Sequence, residues 1–87
     1  DIARVDMNEY IMDLCEEIKR GFTRENIEID YDVGLNLPLC KAVYLGLIIN
    51  ELVSNSIKHA FDENGGVIKI SLKELDQKYV LCIEDNG

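Results

Sequence analysis

The chain has 87 residues, 17 Asp+Glu against 9 Lys+Arg, and a formal charge of −8. That length holds one small domain, and 47% apolar with 30% charged residues is a globular mix, not a disordered one. The acidic balance argues against gripping nucleic acid or an anionic membrane surface, whose phosphates it repels.

No apolar run approaches the roughly 18 residues of a spanning helix, and the N-terminus lacks a signal-peptide pattern. A start at Asp1 instead of Met points to an upstream region. Cys15, Cys40 and Cys82 have neither metal-ligand spacing nor an even count, so each reads as a small buried hydrophobe in a reduced, cytoplasmic compartment. The single histidine, His59, excludes a His-rich metal site.

Asp6-Met7-Asn8-Glu9 reads as a capping box, with Asp6 accepting from early N–H groups and Glu9 reaching back. Behind it Met7, Tyr10, Ile11, Leu14, Cys15, Ile18 and Phe22 recur at helical steps. Lys19 and Arg20 suit the last turn, and Gly21 is the expected terminator. Ile27 to Val33 alternates strictly, as a half-buried strand does. Gly34 to Pro38 reads as a loop, and Leu39 to Phe61 as a second helix, apolar over most of its circumference. Asp62 to Gly66 breaks it. Val67 to Leu75 alternates again, Asp76-Gln77-Lys78 is a turn, and Tyr79 to Glu84 is a more apolar strand. The order helix, strand, helix, strand, strand predicts an α/β fold: a two-layer sandwich with both helices on one face of the sheet.

On a wheel of about 100° per residue, Glu51, Asn55, Lys58 and His59 share one narrow polar ridge of the second helix. Leu45, Ile49, Leu52, Val53, Ser56, Ile57, Ala60 and Phe61 fill most of the remainder. A carboxamide oxygen is a hard ligand able to complete a Mg²⁺ shell, and an ammonium one turn away neutralises phosphate. A carboxylate one turn the other way orients or deprotonates a nucleophile. The bland alternative is a solvated strip. The last strand ends in Asp85-Asn86-Gly87, which taken alone marks only a turn.

Together these two stretches resemble a known family. Gly46 to Phe61 looks like the N-box of the GHKL ATPases, which include gyrase-type topoisomerases, heat-shock-90-type chaperones and histidine kinases. Ile83 to Gly87 looks like the start of their G1 box. The wording is closest to sensor histidine kinases whose N-box carries Glu-Leu-x-x-Asn-x-x-Lys-His-Ala-Phe. The resemblance implies Asn55 on the Mg²⁺ that bridges the ATP phosphates, Lys58 beside those phosphates and His59 along the nucleotide. It also implies Asp85 accepting from the adenine 6-amino group and Gly87 permitting close backbone approach. Glu51 stands where gyrase-type members carry a general base; in a kinase it would support Mg²⁺ or its water.

Residues 1–87 would thus form a single-domain fragment of a GHKL fold, from the first helix to the start of G1. The Gly-rich ATP lid and later elements are absent from the sequence, and so is a phosphoacceptor histidine. The resemblance implies a cytoplasmic ATP-binding part of a kinase, whose parent, membrane-anchored or not, moves the γ-phosphate to its own histidine. Its partners would be the parent's dimerisation and phosphoacceptor domain and a response regulator. The fragment alone should bind Mg-ATP poorly, be inactive and associate through unpaired strand edges. The competing readings are a GHKL-like interaction module without turnover and a serine kinase or ATPase of the same fold.

Overall fold

The computed structural model describes residues 3–87. A short strand β1 (Arg4–Asp6) leads directly into helix α1 (Met7–Phe22), followed by β2 (Ile27–Val33) and a second short strand β3 (Asn36–Pro38). Helix α2 (Leu39–His59), β4 (Gly66–Leu75) and β5 (Lys78–Asp85) complete the order. The strands form a three-stranded sheet, β2-β4-β5, and a separate β1-β3 ribbon. β2 and β4 are parallel, and the segment containing α2 supplies the crossover that parallel neighbours need. β4 and β5 form an antiparallel hairpin.

One face of the sheet carries the core. Ile27 and Val33 of β2 and Ile68, Ile70 and Leu72 of β4 are buried against Met7, Ile11 and Cys15 of α1 and Ile49, Val53 and Ile57 of α2. The other face is polar. There Glu28, Asp30 and Asp32 are exposed, and Lys73 meets Asp32 at 2.8 Å. The two-layer α/β sandwich therefore stands as the sequence pattern predicts.

Several local features differ. The stretch 34–38 is not all loop, because Asn36–Pro38 pairs antiparallel with Arg4–Asp6. This ribbon satisfies orphan donors at both helix starts: Met7 N–H donates to the Leu35 carbonyl and Leu39 N–H to the Ala3 carbonyl, each at 3.1 Å. Pro38 at the N-cap of α2 offers no side-chain cap, so the Ala3 carbonyl takes that place. At α1 the Asp6 half of the capping box forms, its carboxylate accepting from Asn8 N–H and Glu9 N–H. Among the described residues no bond from Glu9 back to Asp6 accompanies it. Nor does Gly21 end α1. The helix runs on to Phe22, and Thr23 takes the left-handed position at φ 52°.

The cysteines divide. Cys15 is fully buried, but Cys40 and Cys82 are exposed, which corrects the reading of all three as core residues. Cys40 lies on the outer side of α2, and Cys82 on the polar face of the sheet, where alternation leaves β5 without a second layer to cover it.

Candidate nucleotide site

The polar ridge of α2 is divided by its neighbours. Asn55 and His59 face β5, where they line an open depression of about 470 Å³ together with Leu52, Ser56, Ala60 and Asp85. Asp85 reaches this place because β5 pairs with β4 in a register that sets Asp85 opposite Ile68, on the helix-bearing face. Ser56 Oγ donates to Asp85 Oδ2 at 3.2 Å, tying helix to strand end. The other carboxylate oxygen has no partner among the described residues and stays free to accept.

Lys58 sits on the other flank. Its ammonium lies 5.8 Å from the centroid of the Phe22 ring on α1, a cation–π distance. Glu51 is exposed on the outer line of α2. The structure thus brings Asn55, His59 and Asp85 together and leaves Glu51 and Lys58 outside that depression. A lysine spans several ångströms on rotatable bonds, so Lys58 is a movable cation at the rim.

Asn86 and Gly87 fix the strand end. Asn86 closes a two-bond clamp on Val67, its Oδ1 accepting from Val67 N–H at 2.8 Å and its own N–H donating to the Val67 carbonyl at 3.2 Å. A Cβ on Gly87 would stand 2.0 Å from the Ala60 carbonyl oxygen and 2.9 Å from the Phe61 ring. Close backbone approach at Gly87 is therefore real, and what it approaches is the end of α2.

Ser56 is the residue that sequence reasoning missed. At its wheel position it counts as part of the apolar circumference, and its only signal was a hydroxyl among otherwise apolar positions.

A larger cavity, about 820 Å³, lies elsewhere, at the end of α1 and the start of β2. Its cations are already engaged: Lys19 with Glu16, Arg20 with Glu17, and Arg24 with Asn26 and the Asp62 carbonyl. Two of its three cations are paired with carboxylates, and the third, Arg24, is held by neutral oxygens.

The donor set of the depression fits a magnesium nucleotide. The described residues hold no cluster of three His, Cys, Asp or Glu able to cage a metal by itself. One carboxamide, Asn55, suits an ion whose remaining ligands are water and phosphate oxygens.

No protein-family model matches the chain, and no curated protein matches it. Solved structures do match. The blue-light activated histidine kinase of Erythrobacter litoralis EL346 aligns with a TM-score of 0.83 at 21% identity, over 95% of this chain and 30% of that one. The histidine kinase domain of the same protein aligns at 0.80 and 21%, over 95% and 40%. The mycobacterial sensor histidine kinase MprB aligns at 0.73 and 26%, over 100% and 56%. The chain spans 30–56% of the length of these kinases. What it shares with them is the fold, and that fold is the one found in sensor histidine kinases.

Proposed function

We propose that this chain is the ATP-binding part of a histidine kinase catalytic domain, and that its parent passes the γ-phosphate to a histidine in two-component signalling. The observation that carries the proposal is the convergence of Asn55, His59 and a Ser56-anchored Asp85 in one depression between α2 and the end of β5. In this reading the free oxygen of Asp85 accepts from the adenine 6-amino group. Asn55 offers its oxygen to Mg²⁺, and His59 lies along the nucleotide. With the nucleotide bound, Lys58 would reach from Phe22 toward the phosphates, and Glu51 would support the metal or its water. The bound ion and ATP supply a γ-phosphate whose charge is partly neutralised, so positioning does most of the remaining work. The phosphoacceptor domain and the response regulator are the partners that this chemistry requires.

The test is a nuclear magnetic resonance titration of the full chain with Mg-ATP, a method that reads millimolar affinities. Shifts should gather at Asn55, Ser56, His59 and Asp85, and weaken without Mg²⁺. Phosphates held only at this open site compete with water at high dielectric, so the affinity should be low. Absence of shifts at these four residues with several equivalents of Mg-ATP would remove the proposal.

A further inference from the structure

The two helices lie side by side and run the same way. Tyr10 of α1 packs on Gly46 of α2, where an added Cβ would stand 2.3 Å from the Tyr10 hydroxyl. One helix length further on, Phe22 lies beside Lys58. The outer surface above this seam is divided lengthwise. Along α2, Val43 is 48% exposed, Leu47 67% and Tyr44 66%, and Leu39 opens the same line one turn earlier. Residues 39, 43 and 47 fall at four-residue steps and lean toward α1. Along α1, Glu9, Asp13 and Glu17 repeat the same step, all exposed, and on a helical wheel they pass from the outer crest at Glu9 toward the Tyr10 side that meets α2. Arg20 pairs with Glu17, while Glu9 and Asp13 have no cation partner among the described residues.

An exposed aliphatic ridge on a helix whose opposite face is already the core buries nothing among residues 3–87, and apolar surface of that kind marks an interaction site. Beside a line of carboxylates it selects its occupant. A membrane surface of anionic lipid is repelled, and an acidic partner is repelled. We infer that the α1–α2 seam is a docking groove for an amphipathic helix from a partner protein, one with leucine-type residues on one stripe and Lys or Arg along the side that meets α1. The apolar stripe supplies the affinity. The carboxylates of Glu9 and Asp13 set direction and register. This surface lies on the α1 side of α2, away from the depression that faces β5, so the inference stands apart from the nucleotide reading.

The probe is a synthetic 21-residue helical peptide with Leu at helical steps and Lys beside that stripe. A control peptide carries Glu at every Lys position. Fluorescence anisotropy of each, titrated with the full chain at low and high salt, should show the Lys peptide binding and weakening with salt. The Glu peptide should not bind. Leu47→Ser should weaken the Lys peptide about tenfold or more, and Asp13→Asn should flatten the salt dependence. Both side chains are exposed, so the circular-dichroism melt should not move; Val43→Ser provides the same test at a second position. Equal binding of the two peptides, or unchanged affinity in both Ser variants, would overturn the inference. Concentration-dependent self-association of the chain that Leu47→Ser abolishes would overturn it as well, by assigning the ridge to a second copy.

Discussion

In the Ser56–Asp85 pair one carboxylate oxygen accepts the hydroxyl and the other remains available, so under the proposed nucleotide reading the serine would fix the direction in which the acid meets a base. Hydrogen bonds to charged groups contribute roughly 1.5–3 kcal/mol, so in a longer protein that carries the Gly-rich lid as well, Asp85→Asn should weaken ATP about ten- to a hundredfold. Its new NH₂ can turn toward a guanine oxygen, so discrimination against GTP should shrink too. Ser56→Ala acts one step removed. It should weaken ATP by about three- to tenfold, with a smaller loss of discrimination, while Ser56→Thr restores both. Competition binding of ATP and GTP checks all three, and an unchanged ATP/GTP ratio would reduce Asp85 to a turn residue. The polar ridge was legible in the sequence because helical spacing places 51, 55, 58 and 59 together whatever surrounds them. Its division was not legible, because only packing shows that β5 flanks Asn55 and His59 while α1 draws Lys58 onto Phe22.

Among the long elements, α1 announced itself by a period of 3.6 and β2 and β4 by a period of two, while α2 and β5 were legible as apolar runs bounded by turn residues. The ribbon β1-β3 was not. Three residues are too short to show alternation, and Asn36–Pro38 gains its bonds only from residues 30 positions upstream. The end of α1 misled for a related reason. Gly21 is the residue best suited to a left-handed cap, yet the backbone turns only at Thr23, and the N–H groups of Thr23 and Arg24 close onto the Arg20 and Lys19 carbonyls. The β4–β5 turn shows the same tolerance of a poor residue. Both Asp76 and Gln77 have positive φ, 51° and 64°. A two-residue hairpin turn with both central residues left-handed favours glycine at the second place. Left-handed backbone costs a residue with a Cβ about 1–2 kcal/mol, so Gln77→Gly should raise stability by roughly 1 kcal/mol once glycine's added chain entropy is set against it. A denaturant melt with an unchanged slope checks this. The opposite substitution at Gly65, where φ is 77° and a Cβ would stand 2.2 Å from the Asn26 carbonyl oxygen, should lower the melting temperature.

Across the whole molecule, the cysteines report on the integrity of the core. Burial, with help from the neighbouring Glu16 carboxylate, pushes the Cys15 thiol up to about 12, while a hydrogen bond with Tyr31 acts the other way. The Tyr31 hydroxyl, donating to Glu16 at 3.1 Å, is likewise pushed up, chiefly by burial. Both groups are neutral in the fold and ionise more readily in the unfolded chain. The Cys15 contribution is thus complete below the unfolded value near 9 and is lost as pH rises toward 12, and that of Tyr31 begins to decline only above its ordinary value of 10. The melting temperature should fall steadily above pH 9, and Cys15→Ala should lessen that fall while lowering stability at neutral pH through the cavity it leaves. A chromogenic disulfide should label Cys40 and Cys82 in the native chain and Cys15 only after unfolding. Rapid labelling of all three without denaturant would show that α1 does not stay docked.

The parallel pairing of β2 with β4 brings Ile27 opposite Gly66, and the whole of α2 must be in place before that ladder can close. The β4–β5 hairpin needs only a tight turn. Loop closure is an entropic cost met before its contacts form, so the half of the chain beyond Pro38 has a head start, and β2 is the strand that arrives last. On a stopped-flow timescale, amides of β4 and β5 should gain protection while those of β2 are still exchanging. During synthesis residues 1–33, which carry a net charge of −6 from 10 acids and 4 bases, would therefore wait until the second helix is complete. Their mutual repulsion keeps that waiting segment from collapsing on itself.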